Sequence, residues 1–174
     1  FAARLNFPIE PRTFAALREH APQLTKVAVE RVRDELERML SHANRAKAFD
    51  LLHQAGLLPF LWPKATWSEQ QVAAAKALLA RLPAEARFQP AFAVLVLDRP
   101  VPDIHNIARA LTFSNDERED VAWLVEHQRD LDDPASIPLS KLKRLMAHRA
   151  FGDLRQLALA RWAGDPAAAA WPYA

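Results

Sequence analysis

Cysteine is absent from the 174 residues, and glycine occurs only three times. The first absence excludes disulfides, thiol nucleophiles and cysteine metal ligands, and it favours a reducing compartment, so we expect a cytoplasmic protein. Three scattered glycines cannot build the glycine-rich loop with which many enzymes bind nucleotide phosphates. No apolar run approaches the roughly 20 residues needed to span a bilayer, so no membrane partner is expected.

Leucine and alanine dominate what is present, and β-branched residues are sparse. This composition predicts an all-α protein, built as an irregular array of many helices. A dense apolar stretch over 57–62 predicts a seam between a first subdomain, 1–63, and a helical body, 64–174. The sequence begins at Phe1 inside a helical pattern and stops after a tail rich in proline and alanine, so we expect a piece of a longer protein.

The stretch Val29–Leu40 predicts an amphipathic helix at the centre of the organisation of the chain. Four apolar residues recur at three- and four-residue steps and share one face: Val29, Val32, Leu36 and Leu40. The opposite face is assigned seven charged residues: Glu30, Arg31, Arg33, Asp34, Glu35, Glu37 and Arg38. Asp34 and Arg38, four residues apart with the acid first, are expected to pair. The charged face is either solvated or turned toward a partner.

Local patterns place further helices along the chain. Ser68 with Gln71 and Ser114 with Glu117 have the spacing of capping boxes, which begin helices. Pro11 and Pro138 each begin another, since proline suits the first turn. The residues expected to face inward are Phe14, Leu17 and Ala21 in the Pro11 helix, and Leu139, Leu142 and Leu145 in the Pro138 helix. The apolar run over 89–97 predicts a buried helix, because no partner strand is nearby.

Charge is distributed unevenly although the net charge is only +2. Residues 117–133 hold seven acids against two arginines, and residues 139–161 hold six bases against one acid. Such a separation predicts a polar field that could orient a polyanion.

The motifs of common catalytic sites are missing. The six histidines do not form an HExxH motif, and no serine sits in a Gly-x-Ser-x-Gly turn, so we expect neither catalytic nor metal-binding residues in this chain. A cluster of basic residues is the better functional candidate: Lys141, Lys143, Arg144, His148 and Arg149. Their helical spacing suits contacts with successive RNA phosphates. A solvated helix face is the alternative at this point.

Three sequence runs carry a resemblance to a known family. The first is RF-A-x-x-L-x-F-x-I, here beginning at Phe1. The second is ER-h-x-x-E-L-x-x-h-L, in which h is apolar, here formed by Glu30, Arg31, Val32, Glu35, Leu36 and Leu40. The third is A-h-x-L-L-x-x-x-G-L-L, here over 48–58. With these runs, roughly the first sixty residues resemble the neck and RNA-binding region of the class II tRNA nucleotidyltransferase (CCA-adding enzyme) and bacterial poly(A) polymerase family. The remainder is similar to the variable helical body of that family.

This resemblance implies a parent enzyme whose activity lies outside the chain. A catalytic head, N-terminal to this region, would use paired aspartates, Mg²⁺ and ATP or CTP to add nucleotides to an RNA 3′ end. None of its catalytic residues carries over, so the fragment alone is expected to be inactive and to need no cofactor. Glu30, Arg31 and Glu35 would brace the helix that reads the incoming nucleotide, with Arg38 where a lysine is more usual. The implied partners are tRNA, or another RNA 3′ end, and the head itself.

Two function classes are therefore predicted. The first is the RNA-positioning neck and body of a tRNA nucleotidyltransferase that adds CCA or part of it, with a poly(A) polymerase as the alternative within the family. The second is a non-enzymatic helical scaffold whose charge separation serves a protein partner.

Overall fold

The computed structural model describes residues 1–62 and 66–163. Within these ranges the chain forms helices joined by short links and no strand, which confirms the all-α prediction. The helices are α1 (Ala2–Leu5), α2 (Pro11–His20), α3 (Val29–Leu40), α4 (Arg45–Gln54), α5 (Leu58–Leu61), α6 (Glu69–Arg81), α7 (Phe88–Val94), α8 (Val101–Ala110), α9 (Asn115–Glu126), α10 (Leu139–Met146) and α11 (Phe151–Trp162). Short 3₁₀ segments lie at Ala21–Lys26 and Pro134–Ser136.

Both predicted capping boxes begin their helices. The Gln71 backbone N–H donates to Ser68 Oγ at 3.2 Å, and Gln71 Oε1 accepts from the Ser68 backbone N–H at 2.9 Å. Ser114 and Glu117 form the same reciprocal pair at the start of α9. Each box satisfies two backbone donors that would otherwise lack a partner in the first turn.

One continuous hydrophobic core connects the helices on both sides of residue 63. Helix α4 packs on α6, α3 packs on α4 and α7, and α9 packs on α7 and α8. The predicted buried helix within 89–97 is confirmed as α7. The aromatic ring of Phe92 on this helix packs against the rings of Phe88 and Phe113 in the core. The expected boundary between 1–63 and 64–174 falls within the undescribed 63–65, and it stays a prediction. The expected tail, 165–174, also lies outside the described residues.

Three sequence predictions about side-chain placement in α3 and α10 were wrong. Arg33, assigned to the charged face of α3, is only 9% exposed. It stands seven residues before Leu40, nearly two full turns, so the two side chains project from the same side of the helix. Leu139, expected to face inward, is 65% exposed, because steps of three residues rotate it about 120° away from the buried Leu145. Arg38 pairs with Glu35 at 3.6 Å rather than with Asp34.

In the part of the chain that the structure describes, no helix is both long and apolar enough to cross a membrane.

Candidate RNA-binding surface and the charged helix

The bounds of the charged helix are those predicted, Val29–Leu40. Two sets of its charged side chains matter for the site, one on the outside of the helix and one turned into the molecule. Glu30 and Arg31 are exposed, and within residues 1–62 and 66–163 neither forms an ion pair. Glu35 is half-buried and Arg31 stands four residues before it, so these two share one side of the helix. We call Glu30, Arg31 and Glu35 the outer residues of α3. They present both charge signs to whatever lies against this side.

Arg33 forms the second group, turned into the molecule. Its Nη1 donates to Glu37 Oε2 at 2.6 Å, and its Nη2 donates to Glu117 Oε1 on α9. The guanidinium carbon also lies 4.9 Å from the ring centroid of Phe88 and 5.0 Å from that of Phe113. Two carboxylates and two aromatic faces therefore hold this buried cation. The seven-residue spacing from Leu40 was the sequence signal that could have identified Arg33 as buried.

Lys141, in the predicted basic cluster, is engaged by an acid of the same chain. Its Nζ donates to Asp130 Oδ1 at 2.7 Å, and His127 Nδ1 lies 2.7 Å from Asp130 Oδ2. Burial opposes ionisation of Asp130, but the hydrogen bonds and charges of Lys141 and His127 outweigh it and lower its pKa.

Arg149 is engaged in the same way by α9. Its Nε donates to Asp120 Oδ1 at 2.6 Å, and its Nη1 lies 3.1 Å from Asp116 Oδ1. Hydrogen bonds to these two aspartates raise the pKa of Arg149. Arg161 on α11 likewise reaches Asp132 at 2.9 Å. The acidic 117–133 and basic 139–161 segments are therefore partly neutralised by each other, which reduces the polar field expected from the sequence.

His148 is packed against a tryptophan. Its ring stacks on Trp123 with centroids 3.9 Å apart and an interplanar angle of 9°. Its Nδ1 accepts a hydrogen bond from the Ala150 backbone N–H at 3.2 Å. Burial lowers the pKa of His148, and the charges of Arg149 and His127 act in the same direction against an opposing effect of Asp120.

Replacing His148 by phenylalanine is expected to reduce the loss of stability in mild acid. Because the folded-state pKa of His148 is lowered, its contribution is complete above its unfolded pKa, roughly 6.5, and declines as the pH falls below that value. Phenylalanine keeps the ring on Trp123 but cannot take up a proton. Urea unfolding at pH 7.5 and 5.5 measures the effect, with exposed His20→Phe as the control. An unchanged pH dependence in His148→Phe would contradict this assignment.

Lys143 and Arg144 remain directed to solvent. Both are exposed, and within the described ranges neither forms an ion pair. Of the five predicted RNA-binding residues, these two are the ones whose charge is available to an external phosphate without first breaking an internal pair or stack. The RNA-binding role of the whole cluster stays a prediction.

A further surface, missed in the sequence, is apolar. Among large apolar side chains, five exposed ones lie within the first 27 residues: Phe1, Leu5, Phe7, Leu17 and Val27. Helix α2 buries none of its residues, so of the predicted inward-facing set only Ala21, just after the helix, is buried. We call these five residues the N-terminal apolar surface. The sequence showed an apolar stripe on α2, but it did not show whether another segment of the chain packs on that stripe.

The residues that the structure describes contain no group of three or more histidine, aspartate or glutamate side chains placed to hold a metal ion.

Comparison with known proteins places the chain in a family. Residues 6–67 match a family described as "Probable RNA and SrmB- binding site of polymerase A". The CCA-adding enzyme of Streptococcus mutans is 34% identical over 139 residues, which is 76% of this chain and 33% of that enzyme. This chain belongs to the CCA-adding enzyme and poly(A) polymerase family. Helix α3 lies inside the matched residues 6–67, and the basic cluster lies outside them, so the roles of both sets of side chains stay predictions.

Other CCA-family relatives agree with this assignment. The CC-adding tRNA nucleotidyltransferase of Halalkalibacterium halodurans is 28% identical over 127 residues, covering 73% of this chain and 32% of that protein. The CCA-adding enzyme of Enterococcus faecalis is 43% identical over 61 residues, 35% of this chain and 13% of that enzyme. The chain thus spans about a third of the length of the curated relatives that match most of it. No solved structure matches significantly.

Proposed function

We propose that this chain is the RNA-positioning neck and body of a cytoplasmic tRNA nucleotidyltransferase that adds CCA, or part of it, to the tRNA 3′ end. The observation that carries the proposal is the match of most of the chain to CCA-adding enzymes. The outer residues of α3 support it, because Glu30 and Arg31 form no ion pair within the described residues and Glu35 contacts only Arg38 of the same helix. In this proposal Glu30, Arg31 and Glu35 support the nucleotide-reading helix, and Lys143 and Arg144 contact tRNA phosphates.

Mg²⁺ and the nucleotides ATP and CTP belong to the remainder of the parent enzyme in this proposal. When bound there, the metal supplies charge stabilisation for phosphoryl transfer. The residues described here hold the RNA and support the neighbouring domain.

The N-terminal apolar surface supports a large partner within the parent protein. Five exposed large apolar side chains within one 27-residue segment are candidates for contact with a partner. Phe1, Leu5 and Phe7 lie within seven residues of the chain, and Leu17 lies on the unburied α2. The proposed occupant is the catalytic head, which remains attached to this chain in the parent enzyme.

The test of this function is nucleotide incorporation by the parent protein. The purified parent protein is incubated with Mg²⁺, labelled CTP and ATP, and tRNA transcripts that lack all three, the last two or the last one of the CCA nucleotides. The proposal requires addition that stops at the mature CCA end. Extension by many adenosines would instead support the poly(A) polymerase alternative, and no incorporation would support the protein-interaction scaffold.

The double substitution Glu30→Ala, Arg31→Ala in the parent is expected to lower the rate of nucleotide addition about tenfold while changing tRNA affinity less than twofold. Both side chains are exposed in this chain, so their removal leaves its core intact. Single-turnover rates and filter binding measure the two quantities. Arg109→Ala, Glu119→Ala removes another pair of exposed charges that form no ion pair within the described residues, and it serves as the control. Equal losses of rate and affinity would mean that α3 grips RNA directly.

A further inference from the structure

Helix α3 is anchored unequally along its length. Its C-terminal half buries Leu36 and Leu40 in the core. In its N-terminal half Val29 and Val32 are only half-buried, and Ala28 at the N-cap offers no side-chain acceptor. The outer residues begin in this less anchored half. These two valines pack against the core only partly, so a polar anchor would add to the contacts that fix this half of the helix.

Arg33 supplies that anchor. Its guanidinium reaches Glu117, 84 residues away in the sequence, and lies over Phe88 at the start of α7 and over Phe113 just before α9. Glu117 is itself fixed, because its Oε2 accepts from the Ser114 backbone N–H at 2.8 Å in the capping box of α9. One side chain thus joins α3 to the first turns of two helices of the body.

The position of Arg33 on the helix also suits this role. Arg31 precedes it by two residues and Glu35 follows it by two, so each projects about 200° around the helix axis from Arg33. Any rotation that breaks the contacts of Arg33 therefore turns Arg31 and Glu35 by the same angle. The three residues lie within two turns of the same helix, so they rotate together.

We propose that Arg33 is a positioning residue, which through Glu117 sets the orientation of α3 and so of the outer residues that support nucleotide addition. This inference rests on the proposed function. It adds that the body controls the support surface through one buried ion pair. The two side chains stay ionised in the fold. Burial favours their neutral forms, but hydrogen bonds and the opposite charge outweigh it, so the pKa of Arg33 is raised and the pKa of Glu117 is lowered.

The experiment compares four substitutions in the parent protein, one of which, Arg33→Lys, tests whether a second cation restores the rate. Arg33→Met removes the cation, and Glu117→Gln removes the anion while retaining a capping box of the kind that Gln71 forms at α6. Arg161→Met is the matched control, since it breaks a different tie within the body, from α11 to Asp132. Rates of nucleotide addition, KM for tRNA and amide hydrogen exchange of α3 are measured for each, alone and for the Arg33→Met, Glu117→Gln double variant.

Arg33→Met and Glu117→Gln are each expected to lower kcat about tenfold with KM for tRNA within twofold, and the double variant should be no worse than either single one. Arg33→Lys should recover part of the rate. Hydrogen exchange of α3 should be faster in both variants and unchanged in Arg161→Met. Multiplying effects in the double variant, or the same kcat loss in Arg161→Met, would overturn the proposal.

The two proposals fail separately. A wild-type parent without nucleotide addition would refute the proposed function, and the exchange data would still decide whether Arg33 orients α3. An active parent whose α3 exchanges normally in Arg33→Met would refute the positioning role alone.

Discussion

Replacing Arg45 by methionine is expected to lower the free energy of unfolding by about 3–5 kcal/mol, because it leaves several buried carbonyls without a donor. Arg45 begins α4 and is 0% exposed. Its Nε donates to Leu40 O at 2.8 Å, at the end of α3. The other donors reach the loop between α6 and α7, at Leu82 O (3.2 Å), Pro83 O (2.9 Å), Ala84 O (2.9 Å) and Ala86 O (3.3 Å).

No carboxylate hydrogen-bonds to this cation within the described residues, so the guanidinium of Arg45 is stabilised mainly by hydrogen bonds to backbone carbonyl oxygens. Burial lowers the pKa of Arg45, and the charge of Glu85 opposes that shift. Methionine fills much of the volume of the arginine stem, so the expected loss reflects hydrogen bonding rather than a cavity.

Urea unfolding followed by circular dichroism measures the change. Exposed Arg81→Met, at the end of α6, is the control and should change stability by less than about 0.5 kcal/mol. Arg45→Lys, which keeps the charge but has fewer donors, should lie between wild type and Arg45→Met. It also gives a measurable value if the methionine variant does not fold. Wild-type stability in both Arg45 variants would show that the carbonyls find other donors at no cost.

The double reversal Lys143→Glu, Arg144→Glu is expected to weaken tRNA binding by about 30- to 100-fold at low salt and to flatten its salt dependence. These side chains are exposed on α10, so reversal should leave the fold intact. Lys141 is excluded from the design, because a glutamate there would face Asp130 and disturb the packing of α10. Fluorescence anisotropy with labelled tRNA between 50 and 300 mM salt gives both quantities.

Arg81→Glu with Arg109→Glu, on α6 and α8, makes the same change of net charge and controls for a general electrostatic effect. Both arginines are exposed, and neither forms an ion pair within the described residues. A loss of affinity equal to that of the α10 variant would mean that overall charge, rather than this helix, determines RNA binding. An unchanged affinity in the α10 variant would remove Lys143 and Arg144 from the RNA surface.

Local sequence signals predicted much of the fold. The bounds of α3 and both capping boxes followed from periodicity and from residues three apart. The run within 89–97 was correctly predicted as a helix because the sequence offered no partner strand. These features depend on neighbours within one or two turns, which a single sequence displays directly.

The long-range partners of the interior cations could not be predicted in the same way, although the spacing of Arg33 from Leu40 indicated that it faces inward. One carboxylate partner of Arg33, Glu117, is 84 residues distant, and the carbonyl partners of Arg45 include residues about forty positions away. A charged residue is placed on the surface by default, and its burial becomes favourable only when distant groups complete its hydrogen bonds. The same limit applied to the basic cluster, since nothing local revealed that Asp130 and Asp120 would occupy Lys141 and Arg149.

Helix α2 is ordered at a thermodynamic margin. Ten residues long and without a buried side chain, it is started by Pro11 and by the Glu10 carboxylate, which accepts from the Thr13 backbone N–H at 2.9 Å. Helices this short hardly persist in water on their own. In the proposed contact with the catalytic head, part of the free energy gained by covering the N-terminal apolar surface would offset the conformational entropy lost on ordering α2. We therefore expect this contact to be weaker than its apolar area alone would give.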